Sequence, residues 1–344
     1  MTSTIQAPPA PAQPAQPEAL PHQMVWGLAQ AVVASKALHV VAELGVADHL
    51  DDQPMTASEL AERCGANPDG LDRVLRLLCA HGIFRLEGSA YAHNDASRLL
   101  RRDHPQSMRD FARLNSLPIT WGAFGALDHS VRTGAPGAQK VRPDGFFAYL
   151  RDHPEEAEVF GHAMAAKARA DISDVLAACD FGRFGTIADI GGGRGHLLQA
   201  ILETAPEARG ILFDLPEVLD SLVIPDERIS SQAGDFFVDA LPEADAYLLM
   251  EVIHDWADPE ASAILGAIRR ACKPGATVLI LEHIAPDTGV DPFSQTLDVV
   301  MLAVTGGRER TSAQLSRLLE DNRFRPAGVT TTRGPMAIVE AVAR

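Results

Sequence analysis

The residues of this 344-residue chain best suited to chemistry are a histidine and several acids, most of them expected at or just past the carboxyl end of a strand. His254 lies in Met250-Glu251-Val252-Ile253-His254-Asp255-Trp256, directly after the apolar run Ala246-Tyr247-Leu248-Leu249-Met250. A neutral imidazole placed there takes the proton of an attacking hydroxyl, and its ordinary pKa of about 6.5 suits that task near neutrality. Glu282 closes the apolar run that starts at Ala276, and Glu309 sits in Gly306-Gly307-Arg308-Glu309-Arg310-Thr311. Either carboxylate serves to fix the imidazole tautomer and stabilise the imidazolium. Equally, Glu282 reads as a solvated strand-end acid and Glu309 as an ion-pair partner of Arg308 or Arg310.

A second set is suited to holding a nucleoside ligand. Asp189-Ile190-Gly191-Gly192-Gly193-Arg194-Gly195-His196 follows an apolar run and opens a helical stretch. Glycines at 191, 193 and 195 permit a tight turn and close approach of a ligand. His196 stands where a dinucleotide fingerprint starting at Gly191 needs glycine, and the Gly-Lys-Ser/Thr of a phosphate loop is absent. The remaining pattern, Asp-x-Gly-x-Gly-x-Gly, suits a cofactor without a pyrophosphate. Asp214, before Leu215, closes the next run, where a carboxylate accepts hydrogen bonds from both ribose hydroxyls. Asp235 and Phe236, after Gly234, offer an acceptor and an aromatic face to an adenine. Taken singly, Asp214 is as well read as a helix N-cap and Phe236 as a core residue; together, in order, they point to one cofactor site.

Positioning these side chains requires two domains, for which the length suffices. Residues 1–21 are rich in Pro, Ala and Gln and are expected to be a disordered tail. Residues 22–110 are expected to form a mostly α winged-helix domain. A helix runs from Met24 to Gly45, a capping box joins Thr56 to Glu59, and a second short helix starts at Leu71. A small hairpin turns around Gly88. Such a unit often reads DNA, but its second helix here carries Asp69, Asp72, Arg73 and Arg76, mixed in sign. Dimerisation and a lid role suit the apolar first helix better. Residues 111–180 read as further helices. From 181 to 344 short apolar runs alternate with helical stretches, the pattern of a mostly parallel, doubly wound α/β sheet, and Thr330–Thr332 with Ala337–Val342 close it as a strand pair.

The formal charge of −16 opposes nonspecific binding to nucleic acid or anionic lipid, although Arg98, Arg101 and Arg102 make a small basic patch. The four cysteines are scattered, with no metal-ligand spacing, as a reducing cytoplasm permits. The N-terminus lacks the pattern of a secretory signal, and no apolar run approaches the roughly 20 residues that span a bilayer. A cytoplasmic chain without a metal, nucleic-acid or membrane partner is therefore expected.

The motifs Asp189 to Gly195, Gly234-Asp235-Phe236-Phe237, His254-Asp255-Trp256, Lys273-Pro274-Gly275, Leu281-Glu282 and Gly307 to Thr311 resemble those of the plant caffeate-type and bacterial small-molecule O-methyltransferases. The stretch from Phe147 to Met164 is similar to the substrate-lining helix region of that family. The resemblance covers nearly all of the chain after residue 24. It implies a homodimer with interlocked N-terminal domains, a class I methyltransferase Rossmann-like domain, and S-adenosylmethionine as cofactor, with S-adenosylhomocysteine as product. Cofactor contacts would fall on Asp189, Gly191, Gly193, Asp214, Leu215, Gly234, Asp235 and Phe236. His254 would be the base, flanked by Glu282 and Glu309. Trp121, Phe160, Met164, Asp255, Val300, Met301 and Thr305 would line a pocket for a small aromatic acceptor; their alternative role is plain core. Two departures stand out: plant members often carry a cofactor-contacting lysine where this chain has Met250, and Lys167 replaces a histidine usual near the pocket. C- or N-methylation, nonmethylating chemistry on the same fold, and a DNA-binding regulator are the competing readings.

Overall fold

The computed structural model describes residues 20–220 and 222–344. Residues 1–19 of the expected tail lie outside the described residues, and its last residue, Pro21, already opens a helix.

The N-terminal part comprises α1 (Pro21–Glu43), α2 (Val46–His49), β1 (Met55–Thr56), α3 (Ala57–Cys64), α4 (Pro68–Ala80), β2 (Arg85–Glu87), β3 (Ala90–Ala92) and α5 (Asp95–Arg98). The expected capping box is present: the Thr56 N–H donates to Glu59 Oε2 at 2.7 Å and the Glu59 N–H to Thr56 Oγ1 at 3.3 Å. Gly65 ends α3 with φ 66° and Gly88 turns the hairpin with φ 65°, conformations that glycine adopts without a Cβ penalty. β1 adds a third antiparallel strand beside β3; at two residues it is too short to show an alternating pattern in sequence. Val41, Leu60, Leu75, Leu78 and Tyr91 form the core beneath these elements. Arg73 pairs with Asp69 and Arg76 with Asp72 along α4, while Arg98 faces Asp52 and Arg101 faces Asp103. Both cations of the second helix, and two of the three in the basic patch, are thus matched by a carboxylate.

The expectation that no apolar run nears membrane-spanning length is corrected by α1. Its 23 residues are long and apolar enough to cross a bilayer, with a mean hydropathy of 1.4 in the best window. Gln30, Ser35, Lys36 and His39 interrupt the run in sequence, yet the helix average stays apolar. Met24, Val25, Trp26, Leu28, Val32 and Val33 are exposed, whereas Ala37, Val41 and Ala42 enter the core. The first half of α1 is therefore an apolar surface without a partner among the described residues.

Next come α6 (Arg109–Leu114), α7 (Pro118–Gly125), α8 (Leu127–Thr133), α9 (Phe146–Asp152) and the long α10 (Pro154–Ala178). They share an apolar cluster of Ile119, Ala123, Phe146, Leu150, Val159 and Ala163.

The remaining elements are β4 (Thr186–Ile190), α11 (His196–Thr204), β5 (Arg209–Asp214), α12 (Pro216–Leu219), β6 (Ile229–Ala233), β7 (Ala246–Met250), α13 (Asp258–Ala271), β8 (Thr277–His283), α14 (Pro292–Val304), α15 (Ser312–Asp321), β9 (Phe324–Thr331) and β10 (Met336–Ala343). They build a seven-stranded sheet in the order β6-β5-β4-β7-β8-β10-β9, parallel from β6 to β8 and closed by the antiparallel β10 and β9. Helices α13 and α15 cover one face, around Ile264, Leu265, Leu315 and Leu319; α11 and the end of α10 cover the other, around Leu198, Ile201, Ile172 and Val175. β6 is not visible in the sequence: Ile-Ser-Ser-Gln-Ala lies at an open edge with no fully buried residue, so nothing demands an apolar run. Strand order reverses between β4 and β7, which opens a crevice at their carboxyl ends.

Candidate active site

His254 lies in the short 3-10 turn Ile253–Asp255, four residues beyond β7, and its side chain is buried. Its Nδ1 is 2.7 Å from Glu309 Oε1. A carboxylate only accepts, so Nδ1 carries the hydrogen and Nε2 is left as the basic nitrogen. Asp255 Oδ1 stands 3.9 Å from Nε2. The two flanking acids are thereby separated in function. Glu309 orients the ring, whereas Glu282 Oε1 accepts from the His254 backbone N–H at 2.8 Å and holds the main chain.

Burial on its own lowers the His254 pKa, but the Glu309 hydrogen bond and the charges of Asp255 and Glu282 outweigh it and raise the pKa to about 10. Burial pushes Glu282 up to about 7 against the pull of His254. For the same reason Asp255 rises to about 6.

A second layer anchors this centre, and sequence reasoning passed over it. The Arg310 guanidinium donates to Ile253 O at 2.9 Å, Trp256 O at 2.8 Å and Asp258 Oδ1 at 2.7 Å, so it clamps the turn that carries His254. Arg310 is 2 % exposed, and its partner acid is Asp258, not Glu309. A Cβ on Gly307 would lie 2.0 Å from His254 O, and the Arg308 N–H donates to that same oxygen at 2.8 Å. Asp298 on α14 accepts the Glu309 N–H at 2.8 Å. The only sequence signal for these roles is the Gly-Arg-Glu-Arg-Thr string, in which glycine marks a close backbone approach.

The glycine turn between β4 and α11 forms the second half of the site. Gly191, Gly193 and Gly195 all have positive φ, of 69°, 56° and 72°. A Cβ on Gly191 would come within 3.1 Å of Val252 and 3.8 Å of Phe236, while one on Gly193 would face open space. Asp214 Oδ2 accepts the Gly193 N–H and its Oδ1 the Leu215 N–H, both at 2.7 Å. Each oxygen retains a lone pair for an outside donor. Burial is the largest influence on Asp214 and raises its pKa. Asp235 Oδ1 accepts the Phe237 N–H at 2.8 Å, after Gly234, whose missing Cβ leaves room for Phe213. Asp189 is 1 % exposed with neither oxygen bonded, and burial followed by the Asp214 charge lifts it to about 7. An orphaned acid, a bare glycine turn and two further acceptors suit a nucleoside ligand that brings its own donors. Among the described residues no group of three or more His, Cys, Asp or Glu is placed to hold a metal ion.

Of the residues expected to line an acceptor pocket, Phe160, Met164 and Val300 pack on the buried cluster between α7, α9, α10 and α14. Met301 is buried and Thr305 half-buried at the end of α14, where the Thr305 hydroxyl donates to Met301 O at 3.1 Å. Trp121 is 39 % exposed and lies beneath the Lys36 ammonium, 4.8 Å from its ring centre. Aromatic contacts link this cluster to the glycine turn: Phe160 meets Phe147 edge-on at 6.4 Å, Phe147 stacks on Trp256 at 5.6 Å, and Trp256 meets Phe236 edge-on at 5.9 Å. Phe147 opens the stretch likened to the substrate-lining region and Trp256 closes the His254 motif, but neither was given a contact of its own, because an aromatic ring gives no sign in sequence of the wall it faces.

A family model for an O-methyltransferase domain matches residues 124–325, and one for an O-methyltransferase dimerisation domain matches residues 26–103. The chain belongs to the O-methyltransferase family. It is 36 % identical to the phenazine O-methyltransferase of Lysobacter antibioticus over 89 % of this chain and 92 % of that one. It is also 36 % identical to the 8-amino-8-demethylriboflavin N,N-dimethyltransferase of Streptomyces davaonensis, over 88 % and 90 %. Among solved structures it resembles an O-methyltransferase from neocarzinostatin biosynthesis in complex with S-adenosylmethionine and 2-hydroxy-5-methyl naphthoic acid. The TM-score is 0.77 and the identity 32 %, over 90 % of this chain and 96 % of that one. This O-methyltransferase thus combines a class I methyltransferase fold with a dimerisation domain, as the sequence motifs implied.

Proposed function

We propose that this O-methyltransferase methylates a hydroxyl group of a small, flat, aromatic metabolite, with His254 as general base. The cofactor is S-adenosylmethionine. The observation that carries the reading is the His254–Glu309 pair. It fixes the hydrogen on Nδ1, so that Nε2 is the nitrogen left to accept a proton. When bound, S-adenosylmethionine supplies a methyl group on a positively charged sulfur. The acceptor oxygen would bond to that methyl as the sulfur–carbon bond gives way, and Nε2 would take the hydroxyl proton. Glu309 stabilises the resulting imidazolium. Phe160, Met164, Val300, Met301 and Thr305 orient the acceptor, with Trp121 and Asp255 at its margins, and exclude water.

Asp214 and Leu215 take the ribose, Asp235 and Phe236 the adenine, and Asp189 with Gly191 and Gly193 the turn beside the sulfur. A sulfonium charge bound in this crevice would oppose the raised His254 pKa through like-charge repulsion. Residues 22–110 serve as the dimerisation domain and 181–344 as the cofactor domain, with the helices of 111–180 between them. The exposed apolar half of α1 is covered by a second copy of the chain.

One comparison favours a second reading, methylation of an amine, because a relative of equal identity is an N,N-dimethyltransferase. A neutral amine attacks without prior loss of a proton, so His254 separates the two readings. The test is the release of S-adenosylhomocysteine with paired phenol and arylamine acceptors, for wild type and His254→Ala. Loss of phenol turnover alone supports the proposal; full turnover of the phenol by His254→Ala overturns it.

A further inference from the structure

Helix α10 passes over the carboxyl ends of the two strands between which the sheet reverses its order. Near the glycine turn, Arg169 Nη2 lies 3.4 Å from His196 Nε2, and Gly161 is close enough to Arg194 that an added Cβ would sit 3.9 Å from its Cδ. On the other side of the crossing the Lys167 ammonium donates to Glu251 Oε1, one residue past β7, with both side chains largely buried. Phe160, Met164, Lys167 and Asp171 recur at helical spacing, so Lys167 continues the face of α10 that carries Phe160 and Met164. The pair therefore stands in the crevice of the sheet, outside the His254–Glu309 couple.

Glu251 is held there by an unusual backbone. Its φ is 53°, one of two non-glycine residues with positive φ among the described residues. Such a conformation persists where surrounding contacts over-determine it, and it concentrates at ligand clamps. His283 stands behind it, with Nε2 3.5 Å from Glu251 Oε1. That ring is 2 % exposed and has no hydrogen-bond partner on either nitrogen. Burial pushes the Glu251 carboxyl up, but His283, Lys167 and His254 together outweigh it and hold it at about 2. The carboxylate is thus held in its charged form near neutral pH, opposite a cation, at a place the proton-transfer step does not use.

The reading of the cofactor site places ribose at Asp214, after β5, and adenine at Asp235 and Phe236, after β6. What remains of the cofactor extends toward β4 and β7, beneath α10. That end is an amino acid, with a carboxylate and an ammonium on one carbon. We propose that Lys167 and Glu251 recognise the amino-acid end of S-adenosylmethionine, Lys167 pairing with its carboxylate and Glu251 accepting from its ammonium. The inference rests on the cofactor orientation given under the proposed function. An ion pair suits a zwitterion because each charge finds its opposite and no net charge is buried.

Calorimetric titration with S-adenosylhomocysteine and with its decarboxylated analogue, S-adenosyl-3-thiopropylamine, tests this through a ratio of affinities that a general loss of folding leaves unchanged. Wild type should prefer the carboxylate-bearing ligand by at least roughly tenfold, about 1.4 kcal/mol. In Lys167→Met the ratio should fall toward one, and Lys167→Arg should retain most of it. Glu251→Gln should weaken both ligands, which share the ammonium. A wild-type ratio near one overturns the assignment, as does an equal loss of both ligands in Lys167→Met. An unchanged ratio in Lys167→Met does so too and transfers the carboxylate to Arg194. Binding of neither ligand by wild type defeats the cofactor reading itself, a failure distinct from these.

Discussion

At His254 the two ring nitrogens do different work, and each is open to a separate test. Nδ1 is committed to Glu309, so loss of the ring should cost catalysis more than binding. His254→Ala should lower kcat by roughly two to four orders of magnitude while leaving S-adenosylhomocysteine affinity, measured calorimetrically, within about threefold. The Glu309 hydrogen bond is the strongest of the influences that raise the His254 pKa. Glu309→Gln removes that charge, so the limb of the kcat–pH profile that rises with pH should move to lower pH. A limb that stays in place would show that another group titrates. The pair also bears on stability. Because the folded pKa of His254 lies above its unfolded value of about 6.5, its contribution is complete below that pH and is lost as pH rises through about 10. Denaturant midpoints of wild type and His254→Gln should differ most at pH 6 and draw together toward pH 10.

At the scale of elements, the site depends on how the loop after α14 meets the turn after β7. Two different interactions hold that junction, and each makes a prediction. Gly307→Ala would place a Cβ 2.0 Å from His254 O, against backbone that cannot yield. The loop must then move, carrying Glu309 with it, and turnover should fall by on the order of 100-fold even where the fold survives. Arg310→Met removes the donors to Ile253 O and Trp256 O while keeping an apolar stem of similar length. Trp256 O then loses its donor and Ile253 O keeps only the Trp256 N–H, which should cost about 1–3 kcal/mol in urea denaturation, and a change below 0.5 kcal/mol would show that water replaces the guanidinium. These residues escaped sequence reasoning for one reason: an arginine in a loop is expected at the surface, and only the packed loop shows it buried. β6 was missed for the opposite reason, since an edge strand with half-wet faces needs no apolar pattern.

For the whole molecule, the question is what lies against α1. Trp26, Leu28, Val32 and Val33 are too exposed and too close together to be scattered surface residues, and they fall within the segment matched by the dimerisation domain. Trp26→Glu combined with Leu28→Glu should convert a dimer into monomers in sedimentation equilibrium. The melting temperature of the C-terminal sheet, read by near-ultraviolet circular dichroism, should change little. A dimer that survives both changes would place the contact elsewhere on the chain.

What the sequence determined by itself was everything carried by local chemistry. The capping box at Thr56 and Glu59, the glycine turn after β4, and the positions of Asp214 at a strand end and His254 just past one depend on neighbours a few residues away, so their pattern survives in a linear reading. Only the tertiary structure decided how distant groups divide the work. It gave the imidazole to Glu309 and the backbone of His254 to Glu282, a choice the sequence left open. It paired Arg310 with Asp258 and brought Lys167 to Glu251 across the crevice. Hydrogen bonds and ion pairs between residues far apart in the chain act over a few ångströms, and no periodicity records which side chains the packing of helices and strands will bring within that range.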